Sequence, residues 1–293
     1  MKGMTTLEPT SSRTMNRKEI ANLIEARISE AGVESLKNQY QSSGSINYLI
    51  IDNLLPTGLA NSISDSFPRE SNLKLLNARQ EKKYVGVEFA PEQKVIEECI
   101  YSFQENTLLK LFSSICSIQD IEGDPELYAG GISSMSNSCF LNPHIDNSHD
   151  RLRTKYRRLN LLYYVSRGWE TLDGGQLVIY PNGIKNTPIE IDSLFNRLVV
   201  MRTDNKSLHG VKEVNSKVNR RKTISNYYFS KTSPTNEKYY NSTSFRGFPG
   251  ETKKDIILRL NAFARTTIKS ATGNFIGKYI STGYHRKEDH GEK

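Results

Sequence analysis

The chain has 293 residues, 36% of them hydrophobic and 25% charged, which is ordinary for a globular protein able to bury a sizeable core. No run of about 18 uncharged apolar residues occurs, so a membrane-spanning helix is not expected. The net charge of +8 fits either an anionic partner or plain solubility, and three cysteines, Cys99, Cys116 and Cys139, are an odd set without metal-type spacing.

The first residues, MKGMTTLEPTSSRTMNRKE, lack the apolar segment of a secretory signal, and a reducing, cytoplasmic setting is expected. Residues 1–14 read as a polar tail. From Asn16 the stretch NRKEIANLIEARISEAGVESLKNQY predicts one helix: Ile20, Leu23, Ile24 and Ile28 recur at three- and four-residue spacing. Asn16 stands as its N-cap with Glu19 three residues on. SINYLIIDNLLP then gives a short β-type run ending at Pro56, followed by a helical pattern that stops at Phe67-Pro68. PEQKVIEECIYSFQENTLLKLFSSI reads as a further helix with one apolar face.

Beyond Pro125 the texture changes. ELYAGGISSM, RRLNLLYYVS, GGQLVIYP, IEIDSLFNRLVVMRT and RKTISNYYFS are β-branched and aromatic runs separated by Gly, Asp, Asn and Pro turns. Several such strands in succession predict a sandwich, barrel or jelly roll, and helices before strands is an α+β order. Residues 233–250 look like loop. KKDIILRLNAFARTTIKS is a helical stripe through Ile256, Leu260, Phe263 and Ala264 that either docks on the core or lies on a surface. The last residues, YHRKEDHGEK, read as disordered.

One constellation carries chemistry. In Pro143-His144-Ile145-Asp146 an extended strand projects His144 and Asp146 to the same face. Alone, His-x-Asp means little, since a surface pair has the same spelling. A third ligand is needed. His285 and His290 lie in the polar tail, and His149 is too near to complete a facial set without strain. His209 remains, opening a strand after a buried-type strand and a charged turn. Two histidines and one carboxylate with open positions suit a ferrous oxygenase, in which a co-substrate and O2 must both reach the metal. If that co-substrate is 2-oxoglutarate, its C5 carboxylate needs a buried cation, and a guanidinium grips a carboxylate bidentately. Arg221, twelve residues after His209, opens the strand RKTISNYYF, with Thr223 and Ser225 on its face.

The stretch Pro143–Phe229, through HIDN, LLYYVSRGW, DGGQLVIYP, FNRLVVMRTD, LHGVKEV and RKTISNYYF, resembles the catalytic core of prolyl hydroxylase-type 2-oxoglutarate/Fe(II)-dependent dioxygenases, particularly the oxygen-sensing prolyl hydroxylases. The resemblance implies a double-stranded β-helix (jelly roll) core over residues 46–232. An N-terminal tail and helix (1–45) would pack on it, and a C-terminal helical extension with a disordered tail (233–293) would follow. It implies iron at His144, Asp146 and His209, and the C5 carboxylate of 2-oxoglutarate at Arg221 and the Tyr164 hydroxyl, with Asn160, Leu162 and Ser225 in the same pocket. It further implies O2 as the second co-substrate, ascorbate as reductant, and hydroxylation with release of succinate and CO2. Related iron halogenases carry a small residue in place of the carboxylate, so Asp146 favours hydroxylation.

The substrate stays open. A peptidyl proline is one class. A small or anionic molecule is another: a free amino acid, a biosynthetic intermediate, or a surface glycan such as a lipopolysaccharide sugar. A non-catalytic jelly-roll binding protein is a third, which the complete ligand set disfavours. Arg151, Arg153, Lys155, Arg157 and Arg158 follow the Asp146 ligand directly and are expected near the mouth of the site, where five charges would attract an anion. The other reading of that segment is a solvated loop. Lys217, Arg220, Arg221 and Lys222 form a second cluster, but neither has a nucleic-acid-binding signature, so no nucleic acid is expected. Residues 252–280 offer peripheral membrane contact.

Overall fold

The computed structural model describes residues 14–271 except residue 236, with side chains as far as residue 261. No described helix is long and apolar enough to cross a membrane. The expected N-terminal tail and the last residues lie outside the described residues.

Asn16 caps α1 (Arg17–Ala31) with a reciprocal Glu19 contact, as its sequence predicts. The single helix expected here is two, however. Gly32, at φ 87, ends α1, accepting a conformation that ordinary side chains avoid, and α2 (Val33–Ser42) restarts beyond it. β1 (Tyr48–Ile51) and α3 (Thr57–Asp65) follow as predicted. The next predicted helix is also two, α4 (Lys94–Ser102) and α5 (Asn106–Cys116). Between them the chain turns so that Phe103 is buried against Tyr163 at 6.3 Å and Gln104 donates to the Asp124 carbonyl. A hairpin of β2 (Lys74–Ala78) and β3 (Glu81–Gly86) fills a stretch with no Gly or Pro at its turn to announce it.

The remaining strands are β4 (Gly131–Met135), β5 (Phe140–Ile145), β6 (Tyr156–Tyr164), β7 (Leu177–Ile179), β8 (Ile189–Ile191), β9 (Arg197–Arg202), β10 (His209–Val211), β11 (Arg221–Ser230) and β12 (Ser244–Phe245). The run IEIDSLFNRLVVMRT splits into β8 and β9 because Asn196 takes the left-handed conformation and locks its amide onto Leu55. All pairings are antiparallel, in the order β1-β9-β6-β11-β4-β3-β5-β10-β7-β8, with β2 beside β3 and β12 beside β5. This is a curled sheet of the jelly-roll, double-stranded β-helix kind.

One face of β6, Leu159, Leu161 and Tyr163, joins the main core with Ile20, Ile24, Cys99, Phe112 and other residues of α1, α4 and α5. The other face carries Asn160, Leu162 and Tyr164 towards the interior of the curl. The helices thus cover one side of the long strands and leave the other side free to build a site. All three cysteines are free and buried.

The C-terminal helix α6 (Thr252–Ala271) departs from its predicted stripe. Among its described side chains Leu258 is buried, whereas Ile256, Ile257 and Leu260 are exposed; the side chains of Phe263 and Ala264 lie outside the described residues. The helix is held at its first turn by Arg246, whose guanidinium grips Asp255 at 2.6 and 3.0 Å.

Candidate active site

β10 lies beside β5 with His209 directly opposite His144. Gly210 permits that approach, because a side chain there would meet the Leu141 carbonyl at 2.8 Å. The two ring centres are 4.4 Å apart, and Asp146, just past the end of β5, turns its carboxylate towards both Nε2 atoms. Its Oδ1 is 3.5 Å from His144 Nε2, and its Oδ2 is 3.9 Å from His209 Nε2. The three ligand atoms lie within 4.8 Å of one another, so the set can hold a metal ion. All three residues are buried.

Each imidazole is fixed by its own strand. His144 Nδ1 donates to the Asn142 carbonyl at 3.0 Å, and His209 Nδ1 to the Ser207 carbonyl at 2.8 Å. A carbonyl only accepts, so the proton sits on Nδ1 and both Nε2 lone pairs face Asp146, the tautomer a metal requires. Asp146 Oδ2 has no hydrogen-bond partner among the described residues. Burial works to raise the Asp146 carboxyl, but the Arg157 guanidinium beside it outweighs that and holds the group far below the usual carboxylate range. Burial pushes His209 down to about 4, assisted by His144, so that ring is neutral near pH 7. A buried carboxylate with an orphaned oxygen beside two histidines whose Nδ1 atoms are already engaged fits a divalent cation.

The triad opens onto a cavity of about 720 Å³ that Arg221, Thr223, Ser225, Asn160 and Leu162 also line. Arg221 is buried; its Nε donates to the Gly175 carbonyl at 2.8 Å and to Ser193 Oγ at 2.9 Å, and its Nη1 to Thr223 Oγ1 at 3.0 Å. Among the described residues it has no carboxylate partner, which is expensive for a buried cation unless an anion arrives. Asn160 Oδ1 is likewise buried without a partner. The neighbours of Arg221 point elsewhere: Arg220 meets Glu70 at 3.4 Å, and Lys222 donates to the Ser64 carbonyl at 2.8 Å. Tyr164 stands behind Arg221, its ring 4.9 Å from the guanidinium carbon and packed among Leu177, Val199 and Met201. Its hydroxyl makes no well-formed hydrogen bond among the described residues, although Ser193 and Arg221 lie beside it.

The five-charge mouth expected from the sequence is not there. Arg157 is buried, 3.3 Å from Asp146 Oδ1, bonded to Asn147 Oδ1 and stacked 4.2 Å from the Tyr227 ring centre. Lys155 is paired with Glu122, and Arg158 donates to the Thr232 carbonyl. Only Arg151 and Arg153 sit at the rim, the first paired with Glu126 at 3.2 Å and the second stacked over Tyr240. His149, set aside as a ligand, bonds Ser148 and packs on Tyr156 and Tyr240.

Arg157 went unrecognised because strand alternation puts Arg158 on the face of Asn160. A β-bulge intervenes: Tyr228 opposes Leu159 but Phe229 opposes Arg157, so one residue of β6 is skipped and the parity inverts. Phe245 and Asn241 were missed as well. Phe245 stacks on the His144 ring at 5.2 Å, and Asn241 donates to the Asp146 carbonyl at 2.7 Å. Neither has a sequence signal of its own.

Residues 130–229 match the family model described as the 2OG-Fe(II) oxygenase superfamily. The chain carries a 2OG-Fe(II) oxygenase domain. It is a dioxygenase of the kind that uses Fe(II), 2-oxoglutarate and O2, and His144, Asp146 and His209 are the set that can hold the iron. Solved structures agree in fold. A prolyl hydroxylase from Trichoplax adhaerens, in complex with a hypoxia inducible factor oxygen degradation domain peptide fragment, is 18% identical, with a TM-score of 0.51 over 73% of this chain and 96% of that one. A prolyl 4-hydroxylase from Phytophthora capsici is 17% identical, with a TM-score of 0.54 over 90% of this chain and 80% of that one. No curated protein matches the sequence.

Proposed function

We propose that this oxygenase domain is a hydroxylase of peptidyl proline, with Fe(II) on His144, Asp146 and His209 and the C5 carboxylate of 2-oxoglutarate on Arg221. When bound, the iron with its co-substrate supplies the O2 activation from which succinate, CO2 and a hydroxylated product follow. The observation that carries the reading is Arg221: a buried guanidinium without a carboxylate partner among the described residues, in the same cavity as the triad. Thr223 orients one arm of that guanidinium, and Asn160 and Ser225 line the pocket beside it. Tyr164 packs on its far side, where its hydroxyl can reach the same carboxylate. Arg157 holds Asp146 ionised and turned towards the histidines.

Two observations support a peptide over an anionic substrate. The basic segment is mostly paired or buried, which removes the electrostatic reason for expecting a phosphorylated or acidic glycan. The cavity is far larger than 2-oxoglutarate needs and is rimmed by Tyr128, Tyr227 and Tyr240, surfaces suited to an extended chain. The Trichoplax neighbour holds a peptide in a fold of this kind.

Succinate formation from 2-oxoglutarate, measured with proline-containing peptides, free amino acids and anionic glycans, tests the assignment. Stimulation by a prolyl peptide, with hydroxylation located on proline, is expected. Stimulation by anionic glycans alone would replace the substrate class while leaving the cofactor chemistry in place.

A further inference from the structure

Beyond Phe229, where the family match ends, the chain returns to the metal-ligand strand. β12 adds to the edge of β5 opposite β10, pairing Ser244 with Ile145 and Phe245 with His144. The contacts run along the whole ligand-bearing segment. Arg246 N–H donates to the Pro143 carbonyl at 2.7 Å, Asn142 Nδ2 to the Arg246 carbonyl at 2.8 Å, and Asn241 Nδ2 to the Asp146 carbonyl at 2.7 Å. Ser148 N–H donates to the Asn241 carbonyl, and Asn241 N–H to Ser148 Oγ, each at 3.0 Å. Phe245 then covers the His144 ring, stacked at 27°.

The strap is tied in turn to α6. Arg246 grips Asp255 through both carboxylate oxygens, and Gly247 N–H donates to Asp255 Oδ1 at 2.9 Å. Arg246, with the backbone of Gly247 beside it, holds Asp255 below its usual range, so the clamp stays ionised near pH 7. Glu251 adds a second tie, accepting from Phe248 N–H at 2.9 Å and Asn142 Nδ2 at 3.3 Å.

We propose that the strap 239–255, latched by Asp255, is a positioning element for the iron site: it fixes His144, which β10 holds from one side only, and Asp146 just past the end of β5. A strand edge left unpaired at His144 is free to twist, and ligand angles follow the strand. Asp255 touches neither ligand; it acts through Arg246, Pro143 and Phe245. The inference rests on the iron assignment above and assigns this chain a part of its site that lies outside the family-matched segment.

The test is titration of the metal-free protein with Co(II) alone, followed by visible absorption, for wild type, Asp255→Asn, Asp255→Glu and Phe245→Leu, with thermal melts in parallel. Partners one step removed from metal ligands typically affect metal affinity by about 10- to 100-fold. Asp255→Asn is therefore expected to weaken Co(II) binding at least roughly tenfold and to alter the ligand-field spectrum, with Asp255→Glu restoring most of both. Phe245→Leu, which leaves the Arg246–Asp255 contact in place, is expected to change the spectrum more than it lowers the melt. If both the Asn and Leu variants keep wild-type affinity and spectrum, with only the melt lowered, the strap is merely structural and the inference falls. A wild-type protein that binds no Co(II) would sink the metal assignment itself, and a His209→Ala control separates that failure from the first.

Discussion

His144, Asp146 and His209 stand outside the hydrophobic clusters, and apart from the Phe245 ring on His144 their side-chain contacts are with polar groups. Replacing any one by alanine is therefore expected to abolish metal-dependent turnover while a circular dichroism melt stays cooperative. Asp146→Ala also strands Arg157 as a buried charge, so Asp146→Asn is the cleaner variant for separating loss of metal from loss of fold. Arg221 gives a sharper expectation. Arg221→Ala should raise the 2-oxoglutarate requirement at least roughly tenfold, since losing one partner of a buried charge pair costs a few kcal/mol. Arg220→Ala and Lys222→Ala should leave it nearly unchanged, because their side chains go to Glu70 and the Ser64 carbonyl. Tyr164→Phe should cost about one hydrogen bond, on the order of 1 kcal/mol. Steady-state titration of 2-oxoglutarate for the four variants checks the set, and a severe Lys222→Ala would mean that the wrong cation has been assigned. At this scale the sequence was informative. Period-two alternation placed His144 with Asp146 and Arg221 with Thr223 on their cavity-facing sides, and among the described residues His209 is the histidine that completes the set.

Elements were less legible, and the misreadings share a cause. Hydrophobic periodicity runs through Gly32 and through Phe103–Glu105 without a break, yet each helix turns there because tertiary packing rewards it. The β-bulge between β6 and β11 is another long-range feature: nothing in YRRLNLLYY announces that Arg158 will be skipped, so the sequence groups Arg157 with the other charges at the mouth of the site or in a solvated loop. β12 has only two residues, too short for any pattern, and depends on β5 for its existence. The Gly174-Gly175 turn is the opposite case, a readable signal whose purpose only the structure reveals. Gly175 has φ +64, and a Cβ there would come 2.8 Å from Arg221 Cδ. Its carbonyl also accepts from Arg221 Nε at 2.8 Å. Gly175→Ala is accordingly expected to destabilise by about 1 kcal/mol or more and to raise the 2-oxoglutarate requirement as well. A variant that loses stability while binding the co-substrate normally would show that this turn does not position the guanidinium.

Across the whole molecule, the helical layer supports the long strands from one side while the cavity opens on the other, so stability and chemistry are separable. Glu98 illustrates the support. It is buried on α4 and accepts from the Arg17 backbone at 2.6 Å and side chain at 3.1 Å, holding α1 in place. Burial alone would raise its carboxyl, but the Arg17 and Lys94 contacts outweigh that and lower it to about 2. A depressed carboxyl stabilises the fold above its unfolded value near 4.3, and that contribution is lost as pH falls from there towards 2. Glu98→Gln is expected to cost about 1–2 kcal/mol near pH 7, roughly 2–4 °C in melting temperature, with the gap to wild type closing between pH 4.5 and 2. A gap independent of pH would mean that the carboxylate charge is not what docks the helix.

The central claim is that one ferrous ion and one 2-oxoglutarate meet in this cavity, on the triad and on Arg221. Anaerobic titration of the metal-free protein with Fe(II), followed by 2-oxoglutarate, tests it most directly. One equivalent of iron per chain is predicted, with co-substrate binding that requires the iron and is weakened by Arg221→Ala. Iron affinity unchanged in folded His144→Ala, Asp146→Asn and His209→Ala proteins would contradict the account.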